Sequence, residues 1–282
     1  MAIISFFNNS RREAGNTLSS IALATQMAIE HNMKILLLST SFKDETIKDS
    51  FINEDQSIKK IFKNSQPKIN QAGIEGLDRI IRSNKMSKDI VRDYTEVVLK
   101  DRLELLLGLG KNHEKSYEDI QEDYEKIVLL ANQYYDMVIV DIDRELSEEV
   151  KKAILSHSDV IILTAIQTAK EMVYLSNIYE KEEWNIKKQN SIILLGKYNN
   201  NSKYNVKNIS RNIFKQKQLL NTIPFNNLFF EAVQEANVVD LFLNLLRVKD
   251  KDENYEFIHE VKRLSEDIQN KLQELQMTRY GG

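Results

Sequence analysis

Residues 3–18 read IISFFNNSRREAGNTL, and the first five of them are typical of a buried strand. A polar loop follows, and small and apolar side chains then recur at helical spacing over Leu18–Glu30. The next apolar run, Lys34–Leu38, is again rich in strand-forming residues. A strand, loop, helix and second strand within about 40 residues have the dimensions of a βαβ unit, which predicts parallel strands.

The second half of the chain repeats this alternation of apolar runs and helical segments. The predicted strands are Met137–Val140, Val160–Thr164, Ser191–Leu195 and Leu219–Ile223. The predicted helices are Glu148–Ser156, Lys170–Glu182, Val206–Lys215 and Phe229–Leu246. Strands without polar alternation are buried on both faces. The predicted fold class is therefore α/β, a three-layer sandwich with a mostly parallel, twisted sheet between two layers of helices.

The segment from residue 43 to 132 is highly charged and mostly helical in period. One predicted helical stripe consists of Ile74, Leu77, Ile80 and Ile81, and a second of Ile90, Tyr94, Val97 and Val98. Leu103–Leu107 is predicted to be a further strand, and Tyr117–Gln133 an amphipathic helix. These elements fit between the first βαβ unit and the second half of the sheet.

The C-terminal segment carries one apolar stripe along Glu253–Gln276, which predicts a long amphipathic helix. A charged hinge precedes it. We therefore expect one domain over residues 1–248, and a helix within residues 249–282 that packs on this domain or on a partner. The polar face of the helix mixes acidic and basic side chains, so anchoring to a membrane surface is not favoured.

Composition excludes several classes of chemistry. The 282 residues contain no cysteine, so disulfides, thiol catalysis and thiolate metal sites are ruled out. The net charge of −3 provides no global basic field for nucleic acid or anionic membranes. No apolar run reaches the roughly 18–20 residues of a membrane helix, and we expect a cytoplasmic protein. The four histidines, at positions 31, 113, 157 and 259, are dispersed and predict no metal site.

The eight glycines are scattered, although a phosphate-binding loop normally groups several of them. The polar loop after the first strand has the length and place of such a loop, with Gly15 and Thr17 where the last glycine and the metal-binding hydroxyl belong. Asn16 occupies the position of the lysine that binds the β- and γ-phosphates. Arg12 and Glu13 occupy the positions of the inner glycines.

Five segments in register extend this likeness along residues 1–245. Gly15-Asn16-Thr17 aligns with a Gly-Lys-Thr motif, and YDMVIVD over residues 135–141 aligns with a Walker B strand. SIILLGKYN over residues 191–199 aligns with a strand and the turn that faces a nucleobase, with Gly196 at an asparagine position. IPFN over residues 223–226 and FEA over residues 230–232 align with an IPxxxxxxEA segment. In these motifs the chain resembles the ParA/MinD branch of P-loop ATPases, whose loop reads KGGxGK[ST][ST].

The resemblance implies ATP or ADP with magnesium as cofactor. The positions that it assigns to the nucleotide are Arg11, Arg12, Glu13, Ala14, Gly15, Asn16, Thr17, Leu18, Lys197, Pro224, Phe225 and Asn226. The metal would be bound at Thr17 and Asp141. Arg11 falls on the signature lysine, which in this family reaches across a dimer to the partner's nucleotide. No catalytic residue is assigned.

The departures from the family pattern concern the same chemistry. Besides the lysine and the inner glycines, two switch carboxylates of a DxD motif are replaced by Ser39 and Ser41. Because phosphoryl transfer depends on positioning and electrostatic stabilisation, their loss should reduce hydrolysis by orders of magnitude. The leading hypothesis is a degenerate member with weak or absent ATPase activity. It would act as a dimer, with a protein partner, in localising a pilus, a secretion system (TadZ/CpaE type) or a similar machine.

Two alternatives remain. In a working ATPase, Arg11 or Arg12 would replace the missing cation and Asp141 would hold magnesium. In a partitioning protein, a dimer would bind DNA nonspecifically through a basic stripe of Lys203, Lys207, Arg211, Lys215 and Lys217. Several of the residues also have ordinary structural interpretations. Arg11 and Arg12 could be a solvated loop, Asp141 a helix N-cap, and Phe229-Phe230 part of the core.

Overall fold

The computed structural model describes residues 1–8, 10, 12–41, 44–53, 73–83, 87, 89–109, 118–180, 184, 186–212 and 220–280. Arg11, Lys215 and Lys217, to which the sequence analysis gave a role, lie outside the described residues, as does His113.

One sheet of eight strands forms within the described residues. The strands are β1 (Ala2–Phe7), β2 (Ile35–Ser39), β3 (Glu96–Leu99), β4 (Leu103–Leu106), β5 (Met137–Asp141), β6 (Val160–Ala165), β7 (Ser191–Tyr198) and β8 (Leu220–Pro224). Their order is β3-β4-β2-β5-β1-β6-β7-β8. Every neighbouring pair is parallel except β3 and β4, which are antiparallel.

Helices cover the sheet on both faces. They are α1 (Asn16–Glu30), α2 (Thr46–Phe51), α3 (Ile74–Arg82), α4 (Tyr124–Ala131), α5 (Glu148–His157), α6 (Ala169–Glu180), α7 (Val206–Asn212), α8 (Asn227–Gln234), α9 (Val238–Leu245) and α10 (Tyr255–Tyr280). The predicted α/β three-layer fold class is thereby confirmed.

The central strand β1 shows why its run of apolar residues does not alternate with polar ones. Successive side chains of a strand point to opposite faces. Ile4 and Phe6 join the core beneath α1 and α10, whereas Ile3 and Phe7 join the core on the other face. Both faces are buried, so the side chains on both are apolar except that of Ser5, whose hydroxyl is hydrogen-bonded to the hydroxyl of Ser158 at 2.6 Å. At the end of β1, the Phe7 ring lies 5.1 Å from the ring of Trp184.

The predicted second stripe, which grouped Val97 and Val98 with Ile90 as a helix, is wrong. Ile90–Tyr94 is a 3₁₀ helix, and Val97 and Val98 lie in β3, at the edge of the sheet. A tight connection through Asp101, whose φ is 59°, returns the chain into β4. Pairing with β4 outweighs the helical spacing of these apolar residues, as often happens where one strand face is exposed.

The prediction of one helix over Phe229–Leu246 is also wrong, because the chain breaks between α8 and α9. Ala236 takes a left-handed conformation with φ 55°, and the Asn237 N–H donates to the Ala232 carbonyl at 2.9 Å. This is the bonding of a helix C-terminal cap, formed here without the usual glycine. The predicted helix Tyr117–Gln133 contains a 3₁₀ segment at Gln121–Asp123, directly before α4. The remaining predicted helices and strands that fall on described residues occur with ends shifted by a few residues.

The helix α10 packs along the sheet and α1. Phe257, Val261, Leu264 and Ile268 are buried in the core on that face. Asn221 of β8 donates to Asp267 at 2.8 Å, which adds a polar contact between strand and helix. Within the described residues, no helix combines the length and the apolar character needed to cross a bilayer.

This packing predicts that Phe257→Ala lowers the free energy of unfolding by about 3–5 kcal/mol, since it leaves a cavity among Phe229, Phe242 and α10. Met277, which is 73% exposed on the same helix, is the matched control, and Met277→Ala should change little. Urea denaturation followed by circular dichroism measures both. Equal effects of the two substitutions would show that α10 contributes no core to the domain.

Candidate functional site

The carboxyl ends of the central strands open into one cleft of about 670 Å³. Parallel sheets bind ligands at this edge. The cleft is lined by most of the residues assigned to the nucleotide and the metal, namely Arg12, Glu13, Ala14, Gly15, Asn16, Thr17, Leu18, Asp141, Lys197 and Phe225. The structure therefore brings these residues together from α1, the preceding loop, β5, β7 and the end of β8.

Pro224 and Asn226 are not among the residues that line the cleft. Pro224 ends β8, where it pairs with Tyr198. Asn226 is the N-cap of α8, because its side-chain oxygen accepts from the Phe229 N–H at 2.8 Å. Its amide nitrogen donates to Asn254. The side chain of Asn226 thus holds the start of α8.

The loop before α1 ends in a turn that only Gly15 makes without strain. Its φ of 77° and ψ of 32° lie in the left-handed region, and it is the N-cap of α1. In the part of the chain that the structure describes, no acceptor bonds to the backbone N–H groups of Ala14, Gly15, Asn16 and Thr17. Consecutive N–H groups of this kind, at a helix N-terminus, form a cradle for anions.

Gly196 of β7 touches the same loop. A Cβ at this position would lie 1.9 Å from the carbonyl oxygen of Ala14, so no side chain fits between the strand and the loop. The sequence predicted Gly196 only as a replacement in the base-facing turn. The contact with the phosphate-type loop was missed because it depends on the packing of two segments about 180 residues apart.

Asn16, at the position of the lysine, is turned into the protein. Its amide nitrogen donates to Asp141 at 2.5 Å and to the Phe6 carbonyl at 3.4 Å. Its side-chain oxygen accepts from the hydroxyl of Thr164 at 2.8 Å. Asn16 therefore links the ends of β1, β5 and β6, and its side chain carries no charge into the cleft.

Asp141 is the acceptor at the centre of this network. Besides Asn16, the Thr17 hydroxyl donates to its other oxygen at 2.7 Å. Burial raises the pKa of Asp141 to about 7, since the ionised form loses its water. The negative charges of Asp44 and Asp143 also raise the pKa, whereas the hydrogen bonds from Thr17 and Asn16 lower it. The carboxyl group is thus poised between its two protonation states near neutral pH.

The carboxylates of Asp44, Asp143 and Glu145, to which the sequence analysis gave no role, also line the cleft. Asp44 and Asp143 follow the ends of β2 and β5 by a few residues, and that position is the signal that could have found them. Ser39 and Ser41, at the positions of the family's switch carboxylates, are buried. No group of three or more acidic or histidine side chains positioned to hold a metal ion occurs among the described residues.

Two described cations lie on the loop side of the cleft. The guanidinium of Arg12 donates to the Thr168 hydroxyl at 3.1 Å, which ties the loop to the start of α6. A second tie joins the hydroxyl of Ser10 to Glu171 at 2.7 Å. The ammonium of Lys197 lies 4.0 Å from Glu13, whose side chain is 90% exposed.

Two aromatic rings form the apolar side of the cleft. Phe225 and Phe230 are 55% and 45% exposed, with ring centroids 6.0 Å apart. The expectation that Phe229 and Phe230 both belong to the core is correct for Phe229 only. The helix α8 turns Phe229 inward against Phe257, and therefore turns its neighbour Phe230 outward to the cleft.

The described part of the basic stripe lies outside the cleft. Lys203, Lys207 and Arg211 are exposed, and the last two are one turn apart on α7. Among the histidines, His157 contacts Glu125 at 2.8 Å and His259 lies 3.5 Å from Glu260. These contacts are ordinary surface pairs.

The high pKa of Asp141 predicts a pH-dependent stability. The folded pKa of about 7 lies above the ordinary value of 3.8, so the folded state takes up a proton that the unfolded state releases. This stabilisation is complete below pH 3.8 and is lost as the pH rises to about 7. Relative to Asp141→Asn, the wild type should lose up to about 4 kcal/mol of unfolding free energy over this range. Urea denaturation at several pH values measures the difference, and parallel profiles would contradict it.

Replacing Gly15 and replacing Gly196, which meet at the loop, should lower the stability of the fold by different amounts. Gly15→Ala should destabilise by about 1–2 kcal/mol, because alanine is strained at φ 77°, although its Cβ would meet Lys197 Cγ at an ordinary contact distance of 3.9 Å. Gly196→Ala should cost more, since two backbones must separate to admit a methyl group. Thermal unfolding of both variants tests the order, and a smaller effect at Gly196 would show that the loop yields easily.

Comparison with known proteins gives a likeness in structure alone. No protein-family model matches the chain, and no curated protein matches it in sequence. Solved structures do match. A ParA family ATPase from Chlorobium tepidum TLS superposes with a TM-score of 0.67 at 15% identity, covering 91% of this chain and 96% of that one.

Two further structures carry bound nucleotide. One is a proposed plasmid partition protein from Borrelia burgdorferi B31 bound to AMPPNP, with a TM-score of 0.59, 18% identity and 99% of each chain covered. The other is the septum site-determining protein MinD from Pyrococcus horikoshii OT3 with Mg-ADP, with a TM-score of 0.61, 12% identity, and 96% and 98% covered. At these identities the likeness concerns the fold, and the chain has the fold of the ParA/MinD P-loop ATPases.

Proposed function

We propose that this protein is a nucleotide-responsive positioning or scaffold component whose P-loop is degenerate and whose ATP hydrolysis is weak or absent. The observation that carries the proposal is the inward orientation of Asn16. Asn16 places an uncharged amide where the phosphate-binding lysine belongs, beside the hydrogen-bonded Thr17 and Asp141, which we propose as the magnesium ligands.

The residues present fit a magnesium nucleotide. The N–H groups from Ala14 to Thr17 would bind phosphate oxygens, and the Thr17 hydroxyl with Asp141 would hold the metal ion. The bound metal nucleotide would supply the charge that links these groups. The structural neighbour from Borrelia burgdorferi, which binds AMPPNP, supports a nucleotide as the ligand of this fold.

The aromatic pair of Phe225 and Phe230 suits the nucleobase. Both rings are about half exposed and line the cleft together with Val233. Every base can stack on an aromatic face, so these two rings favour binding of a nucleobase without selecting strongly among the bases. Lys197, Pro224 and Asn226 remain proposed base-side residues by resemblance, although the latter two do not line the cleft.

Weak hydrolysis follows from the charges around the phosphate position. The lysine is absent, and Ser39 and Ser41 replace the carboxylates that the family uses in its switch. Asp44, Asp143 and Glu145 add negative charge to the cleft, which opposes a polyphosphate unless magnesium offsets it. Phosphoryl transfer needs preorganised positive charge, and its loss lowers the rate far more than it lowers binding.

The biological setting is proposed by resemblance. A homodimer would cover the open cleft, as in the ATPases that the chain resembles. The protein would act by binding a protein partner and not by releasing a reaction product. We favour the localisation of a pilus or secretion machine, as in the TadZ/CpaE type, because atypical Walker A loops occur there.

The alternative is an active partitioning ATPase that binds DNA nonspecifically. The exposed Lys203, Lys207 and Arg211 favour it locally, whereas the net charge of −3 disfavours it. Fluorescence anisotropy with duplex DNA at two salt concentrations separates the two functions. Salt-sensitive binding that requires ATP would support partitioning, and its absence would support a scaffold.

Calorimetry with Mg-ATP, followed by a phosphate-release assay, tests the main proposal. We expect binding with turnover far below that of an ordinary family ATPase. Asn16→Lys should strengthen ATP binding about tenfold or more, because it restores a cation at the phosphates. Asn201→Lys adds the same charge at an exposed position outside the cleft and should have little effect. ATP hydrolysis by the wild type at the usual rate of the family would contradict the proposal of a degenerate site.

A further inference from the structure

Lys197 has an unusual backbone conformation for its residue type. Its φ is 51°, in the left-handed region that is strained for a residue other than glycine. It lies at an irregularity in the pairing of β7 with β8, where the register shifts between Gly196 and Tyr198. Bulges of this kind redirect one side chain of a strand, often beside a functional site.

The bulge places the Lys197 side chain over the loop that precedes α1. Gly196 presses against the Ala14 carbonyl, so β7 and the loop are in backbone contact. The next side chain then crosses the loop: Cγ of Lys197 lies 3.9 Å from the position of a Cβ on Gly15. Lys197 therefore contacts Gly15, the residue that precedes Asn16. Position 16 is the one that holds the lysine in a P-loop.

Two other described groups near Gly15 are engaged in contacts with other parts of the protein. The amide of Asn16 is directed to Asp141, and the guanidinium of Arg12 donates to Thr168. The Lys197 ammonium is 4.0 Å from Glu13, and both side chains are substantially exposed, at 44% and 90%. Such surface pairs contribute little, so a phosphate could displace Glu13 from this ammonium at small cost.

We infer that Lys197 is a phosphate-binding cation that replaces, from β7, the lysine missing at position 16. The inference rests on the proposed nucleotide function and assigns the polyphosphate oxygens as the ligand of Lys197. It replaces the assignment of Lys197 to the base. The bulge and the contact at Gly196 fix the backbone of Lys197 beside the loop, with its Cγ against Gly15 at the N–H cradle.

Binding of three probes by the wild type and by variants tests this assignment. The probes are sodium tripolyphosphate with magnesium, Mg-ATP and adenosine, each measured by calorimetry. Lys197→Gln should weaken binding of the two polyphosphates about tenfold and leave adenosine binding unchanged. Lys197→Arg should retain most of the affinity. Lys203→Gln removes the same charge at an exposed site outside the cleft and should change nothing.

Lys197→Gly removes the cation while relieving the backbone strain, so it tests the same loss of binding in a chain whose fold is not put at risk. Thermal unfolding verifies this for both variants. Equal ATP binding by the wild type and Lys197→Gln would overturn the inference and leave the proposed function standing. Loss of adenosine binding as well would return Lys197 to the base. Lys197-dependent binding of tripolyphosphate without ATP binding would support the inference and overturn the proposed function, and binding of neither probe would overturn both.

Discussion

The buried carboxyl group of Asp141 is the constraint around which this end of the molecule is arranged. A carboxyl removed from water needs hydrogen-bond donors, and Asn16 and Thr17 provide them from the first turn of α1. Through the same amide, Asn16 also reaches the ends of β1 and β6. Three adjacent strands and one helix are thereby fixed to each other at the point where the loops begin.

This arrangement separates two properties that the P-loop lysine usually combines. A lysine at position 16 would satisfy phosphate and leave Asp141 to the metal ion. The asparagine donates to Asp141 instead and brings no positive charge. Both oxygens of Asp141 therefore already have a donor, and a metal ion at Asp141 must compete with these hydrogen bonds. Cations from other segments become the means by which the cleft attracts an anion.

The parallel sheet was predictable because its strands are buried on both faces, and a short continuous apolar run such as residues 137–140 is typical of a strand of that kind. Edge strand β3 was not predictable, since Val97 and Val98 are partly exposed and share helical spacing with Ile90. The break after α8 was hidden as well. It uses Ala236 in a left-handed conformation, so neither glycine nor proline marks it in the sequence.

The site was predictable in its location and less so in its side chains. Gly15, Thr17 and Asp141 could be placed from motif order and strand ends. The direction of Asn16 depends on how the ends of β1, β5 and β6 align, which register determines and local sequence does not. Phe230 and Asp44 also reach the cleft through packing between distant segments. Two of the few glycines, Gly15 and Gly196, lie in contact with each other at the loop. The sequence alone could not show that these two scattered glycines serve the same contact.

The tryptophan beside β1 has a practical consequence. Trp184 is the only tryptophan of the chain, and its ring lies against Phe7, the last residue of the strand that leads into the loop. The ammonium of Lys152 lies 5.4 Å from the same ring. An indole held between a strand end and a cation changes its emission when either neighbour moves. The protein thus carries its own fluorophore beside the strand that leads to the cleft. Movement of this strand end can be followed by tryptophan emission without attaching a label.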